Sequence, residues 1–111
     1  MVTHTTADSV DSISTLRDDK WHFVVATKEG TGTAKLKIYV DGILEASVNT
    51  TADILYDTTM YPRIGDRNEG GEESFFKGDI DEVFIFNNKV LTLGEIQQLY
   101  NEGGSFLLNM I

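Results

Sequence analysis

The chain contains no cysteine, which excludes disulfides and thiolate metal sites. That absence is silent on compartment, because a well-packed core needs no covalent staple. Proline occurs once, at Pro62, where it confines any strand over residues 60–64 to a sheet edge or a bulge. No run approaches the roughly 18 apolar residues that a membrane span requires. The first fifteen residues, MVTHTTADSVDSIST, are polar and lack the apolar core of a secretory signal. Basic residues are scarce: 9 Lys and Arg stand against 18 Asp and Glu, a net charge of −9. Such a field repels phosphate backbones and anionic membrane surfaces, so nucleic-acid binding and membrane insertion are not expected. It suits divalent cations where carboxylates converge, and otherwise gives a well-solvated surface.

Histidine is nearly absent too. His4 and His22 are the only two, and no spacing brings them together. His22, beside Trp21, reads as a strand residue bonding across a sheet rather than as a base or a ligand. No nucleophile elbow or Gly-rich phosphate cradle is present.

What remains is a chain of 111 residues, 41% hydrophobic and 10% aromatic, which fits one domain with one core. Residues 1–17 are rich in Thr, Ser and Asp, with Val10, Ile13 and Leu16 as the large apolar side chains after Val2; they read as an arm or an edge strand. WHFVVAT, from Trp21, has strand composition and places Trp21 in the core. EGTGT is a turn. AKLKIYV alternates, with Leu36, Ile38 and Val40 on one face and Lys35, Lys37 and Tyr39 on the other, which puts Tyr39 toward solvent. Asp41-Gly42 predicts a type I′ hairpin returning through Ile43 to Val48. Residues 66–74, DRNEGGEES, read as a charged loop, and residues 75–87 as one long strand with a bulge at Gly78.

Near the end, Thr92 and Glu95 have capping-box spacing, and Leu91 and Ile96 that of a hydrophobic staple, for a helix over Leu93–Glu102. Leu93, Ile96, Leu99 and Tyr100 form its apolar stripe. Gly103-Gly104 is the stop. The apolar tail SFLLNMI, residues 105–111, reads as a strand in need of a partner. The fold class is all-β: an antiparallel sandwich with one short C-terminal helix.

The ordered set WHFVVAT, LKIYVDG, RIG, FKGDIDEVFIFNNKVLT and EIQQLY resembles the laminin-G-like and pentraxin-like branch of the concanavalin A-like lectin/glucanase jelly rolls, over residues 18–102. The closing GGSF, with an Asn three residues on, is similar to the segment after the helix in pentraxins. Relatives carry about a dozen strands, and these motifs belong to their second half, so the resemblance implies a partial sandwich. Two resolutions are open: an excerpt of a longer protein, or a homodimer that completes the sandwich. Phe84, where relatives carry a charged residue, and Phe106, Leu107 and Leu108 in the tail are the expected partner surface. The competing reading of Phe84 is a strand buried on both sides, since Val83 and Ile85 alternate with Phe84 and Phe86.

The acidic segment Asp66, Asn68, Glu69, Glu72 and Glu73 reads either as a solvated turn or as a source of the oxygen ligands that calcium wants. By resemblance to pentraxins, Asp66, Asn68 and Glu69 are the calcium candidates; by resemblance to laminin-G-like relatives, Asp81 joins them. Some β-glucanases share the fold, with three carboxylates at i, i+2 and i+4 on one strand face. Here Asp79 and Asp81 are followed by Val83, while Glu82 takes the opposite parity, so no catalytic residues are assigned and the chain is not expected to be an enzyme. The resemblance implies a recognition or adhesion module, outside the cell or at its surface, binding carbohydrate or protein with calcium as a candidate cofactor. Its main rival is a structural half-sandwich that dimerises without a sugar site.

Overall fold

The computed structural model describes residues 9–51, 64–69 and 72–102. Most of the expected strand over 60–64, the Gly103-Gly104 stop and the tail 105–111 lie outside the described residues. The described elements are β1 (Val24–Lys28), β2 (Gly32–Val40), β3 (Ile43–Thr50), β4 (Asp66–Glu69), β5 (Glu72–Phe75) and α1 (Leu93–Glu102). The first three strands form an antiparallel sheet in the order β1-β2-β3, and β4 pairs with β5 as a separate hairpin. The architecture is mostly β with one short C-terminal helix, and agrees with a partial sandwich.

The β2–β3 hairpin closes as its dipeptide requires. Val40 pairs with Ile43, and the two residues between, Asp41 and Gly42, have φ of 51° and 79°, both in the left-handed region that a type I′ turn demands. The register slips twice along this pair. Ile38 faces Ala46 while Tyr39 faces Leu44, so Glu45 is an extra residue on β3. Nearer the other end Ala34, at φ 54°, donates its N–H to Asn49 Oδ1 at 2.9 Å, a side-chain bond at a point where the ladder is interrupted.

Helix α1 starts on the expected capping box. Glu95 N–H donates to Thr92 Oγ1, and Thr92 N–H to Glu95 Oε1, both at 3.2 Å. Leu91 and Ile96, the staple pair, are both buried, and with Leu99 they cover Tyr39, flanked by Phe23 and Val25. Ile96 is 0% exposed and Tyr39 5%. The expectation that Tyr39 faces solvent is therefore wrong, because its face of the sheet receives the helix at the hairpin end.

Three further expectations are corrected. Trp21 is 69% exposed rather than buried. Its strand starts only at Val24, opposite Val40, so Trp21 overhangs the end of β2 with no ladder partner. Residues 66–74 are not a loop but contain most of a hairpin, with Asp66 paired to Phe75 and Glu69 to Glu72. Only Gly70 and Gly71 separate that last pair, and such a dipeptide is itself a hairpin signal. The long strand over 75–87 ends at Phe75. Gly78 (φ 154°), Glu82 (φ 58°) and Asn88 (φ 61°) turn the path, and residues 76–92 join no ladder among the described residues.

Burial of Ile96 predicts that Ile96→Ala lowers stability by about 2–5 kcal/mol in urea unfolding, the loss typical of a core truncation. Gly42→Ala combines a left-handed φ, worth roughly 1–2 kcal/mol for a side chain, with a Cβ 3.3 Å from Tyr100 Cδ1. Gly30→Ala meets the same kind of φ but open space, so the Gly42 variant is expected to lose more. Equal losses would show that the turn and the helix do not press on each other.

Candidate recognition site at the hairpin end of the sheet

The turn that closes β2–β3 also gathers the arm, β1 and the helix. Asp41 Oδ1 accepts the N–H of Phe23 at 2.9 Å, while Asp41 N–H donates to the Phe23 carbonyl at 2.8 Å. The second oxygen of Asp41 meets His22 Nδ1 at 2.8 Å, and the other ring nitrogen meets Asp18 Oδ1 at 2.9 Å. A carboxylate only accepts, so when protonated the His22 ring donates from both nitrogens and is an imidazolium clamped between two anions. The hydrogen bond to Asp41, then that to Asp18, raises the His22 pKa above its ordinary value, with a smaller opposing effect of burial. His22 in turn holds Asp18 below the ordinary carboxylate value. At Asp41 burial pushes upward, but His22 and the Phe23 N–H outweigh it and the pKa is lowered.

A second anchor lies beside the first. Glu45, the extra residue of the β3 bulge, receives the hydroxyl and N–H of Ser14 and the N–H of Ile13. These bonds, the Ser14 hydroxyl foremost, lower its pKa against a smaller effect of burial. Glu45 and the His22 clamp thus fasten residues 13–22 to the hairpin. From this fastened arm Trp21 projects, an exposed indole next to a set of fixed charges.

Asp66, Asn68 and Glu69, expected as a loop, stand on β4. Ile80 packs toward Gly65, where an added Cβ would lie 3.3 Å from Ile80 Cδ1. Asp81 Oδ1 accepts the N–H of Glu82 at 2.8 Å. Among the described residues no three His, Cys, Asp or Glu groups are placed to hold a metal ion.

Phe84 is half-buried, with its ring centroid 6.4 Å from that of Phe86. It lines a cleft of about 630 Å³ between β1 and residues 76–91, together with Phe23, Val25, Val83, Leu91 and Leu99. Phe106, Leu107 and Leu108, the rest of the expected partner surface, lie outside the described residues. The clamp is not legible in the sequence, because Asp41 reads there only as a turn former. Nothing in the spacing from Asp18 to His22 to Asp41 announces that the turn and the arm meet.

A family model for laminin-G-like domains, described as the concanavalin A-like lectin/glucanases superfamily, matches residues 1–97. No curated protein and no solved structure matches the chain.

The clamp makes stability depend on pH in a defined window. A raised His22 pKa stabilises fully below the ordinary imidazole value of 6.5, and this is lost as pH rises through the folded-state value. Lowered Asp18 and Asp41 values stabilise above the ordinary 3.8, and this is lost as pH falls through their folded-state values. The difference in urea midpoint between the parent chain and His22→Gln is therefore expected to peak between those two limits and to shrink on either side. A difference that does not vary with pH would remove the imidazolium clamp.

Proposed function

Because the chain belongs to the laminin-G-like family of the concanavalin A-like lectin/glucanases superfamily, we propose that it is a non-catalytic recognition module that binds carbohydrate outside the cell or at its surface. Laminin-G-like domains are in general non-enzymatic binding modules. The observation that carries the sugar reading is Trp21. An indole 69% exposed on an anchored arm presents a flat apolar face for the C–H face of a pyranose. The arm that carries the indole is held at His22 and Ile13, so presenting Trp21 costs little ordering of the backbone on binding.

Calcium assistance belongs to the same proposal. Asp66 and Asp81 would supply two carboxylates, fewer than the six to eight oxygens calcium takes. Asn68 and Glu69, on the same strand as Asp66, are the residues to add to them. A second reading, a homodimer that completes the sandwich, draws on the register of the sheet. Val24, Val40 and Ile43 share one face with Ala26, Ile38 and Ala46, and with Leu36 and Val48. Val40 on that face is buried, but its neighbours Val24 and Ile43 are exposed, an apolar rim that a second layer would cover.

Glycan-array binding that is lost in Trp21→Ala, with the melting temperature unchanged, is the expected outcome; an array with no binding would overturn the sugar reading. Millimolar calcium is expected to raise the melting temperature and chelator to reverse it. Since saturation at 100 times Kd contributes about 2.7 kcal/mol, an unchanged melting curve would remove the metal. Light scattering during size exclusion decides the second reading, which a monomer would exclude.

A further inference from the structure

The loop that carries Trp21 is held by a bridge with two links. His22 Nε2 meets Asp18 Oδ1 at 2.9 Å within the arm, and His22 Nδ1 meets Asp41 Oδ2 at 2.8 Å on the turn. Trp21 lies inside the loop that the first link closes, and the second link ties that loop to the sheet. Asp18 Oδ1 also accepts the Lys20 N–H at 3.1 Å, and Asp19 between them takes a φ of 58°, a left-handed conformation that these bonds must hold. Farther back along the arm, Ile13 and Ser14 are bound to Glu45. Residues 15–21 are thus suspended between one anchor on Glu45 and another on the His22 ring.

Two acceptors on opposite sides of one imidazole make its second proton decisive. An imidazolium donates from both nitrogens, whereas the neutral ring has one N–H and one lone pair. Whichever tautomer forms, one carboxylate then faces a lone pair, and repulsion replaces that link. The charged groups around the bridge are mixed in sign. The arm adds Arg17, Asp19 and Lys20, and β3 adds Glu45. The cleft that His22 also lines carries Asp79, Asp81, Glu82 and Lys89, and α1 brings Tyr100 and the uncharged Gln97 to this end. Of all these, Asp41 and Asp18 are the groups that act on the ring. We propose that His22 is a proton-operated fastener: the protonated ring fixes the Trp21 loop against the Asp41-Gly42 turn, and the neutral ring releases it while the sheet stays closed. The lowered pKa of Glu45 keeps its grip on Ser14 while His22 titrates, and the Phe23–Asp41 bonds hold the start of β1, so release is confined to the segment between. The consequence for recognition rests on the sugar reading of Trp21 given above: deprotonation weakens binding, because a released loop must be ordered again.

Trp21 is the only tryptophan of the chain, so its fluorescence reads the loop with no ligand present. In the intact chain the indole anisotropy is expected to fall as pH rises through the folded-state pKa of His22, above the ordinary 6.5. Its midpoint is expected to match the His22 imidazole titration followed by NMR, with far-UV circular dichroism constant over the same range. His22→Gln, which has no proton to lose, is expected to show no transition. Asp18→Asn, which removes one of the two anions, is expected to move the midpoint to lower pH. Anisotropy that does not vary with pH in the parent chain would overturn the proposal, as would a transition that persists in His22→Gln. A dichroism signal lost together with the anisotropy would overturn it too, since the chain would then open as a whole. Should His22→Gln not fold, an unmoved midpoint in Asp18→Asn decides against the fastener. A glycan array without binding counts against the sugar reading alone, because the fluorescence needs no sugar.

Discussion

The two-residue turn Asp41-Gly42 is the point on which the described structure depends. A type I′ turn admits left-handed residues only, and both residues here comply. Once the turn is formed, each of its polar groups is put to use. Asp41 holds the Phe23 N–H and the His22 ring, and the Gly42 carbonyl accepts Gln97 Nε2 at 3.2 Å. The bare Cα of Gly42 lets Tyr100 approach closer than a side chain would allow. Arm, first strand and helix therefore meet at a single dipeptide, through contacts whose sequence separations reach 55 residues.

The helix and the core are consequences of this meeting. Capping box and staple start α1, with Lys89 Nζ 2.8 Å from Glu95 reinforcing the first turn. Yet a ten-residue helix is marginal in water by itself. Its stability derives from Ile96 and Leu99 covering Tyr39, and that contact needs the hairpin end of the sheet held in place. At the far end of the same ladder there is no helix among the described residues. There Leu36 and Ile38 are only half-buried, although the alternation assigns them to the apolar face.

Features decided by neighbours in sequence are legible. The Asp-Gly turn, the Thr92–Glu95 box and the Leu91–Ile96 staple each depend on residues at most five apart, and each is found in the structure. Features decided by what lies opposite are not. Tyr39 alternates with lysines and is nonetheless buried, because a helix from fifty residues later covers it. Trp21 has core composition but overhangs its partner strand. Residues 75–87 have strand composition, and composition alone forms no ladder. The clamp at His22 is invisible for the same reason, since its two carboxylates come from different elements. The acidic segment reads as a loop because its run of charges masks its Gly-Gly hairpin spacing.

A lectin-like module therefore has, at one end, a fastened corner that holds an exposed indole, and along one side a strand, β1, that is the edge of its sheet among the described residues. Both features require that corner to behave as one cooperative unit. Native-state hydrogen exchange in low urea measures this most directly, through the opening free energies of the inward β1 amides Val25 and Thr27 and the α1 amides of Ile96 to Tyr100. Both sets are expected to open together, with the same free energy and the same dependence on urea. A helix that opens in a separate, lower-energy step while the sheet stays closed would contradict the single fastened corner.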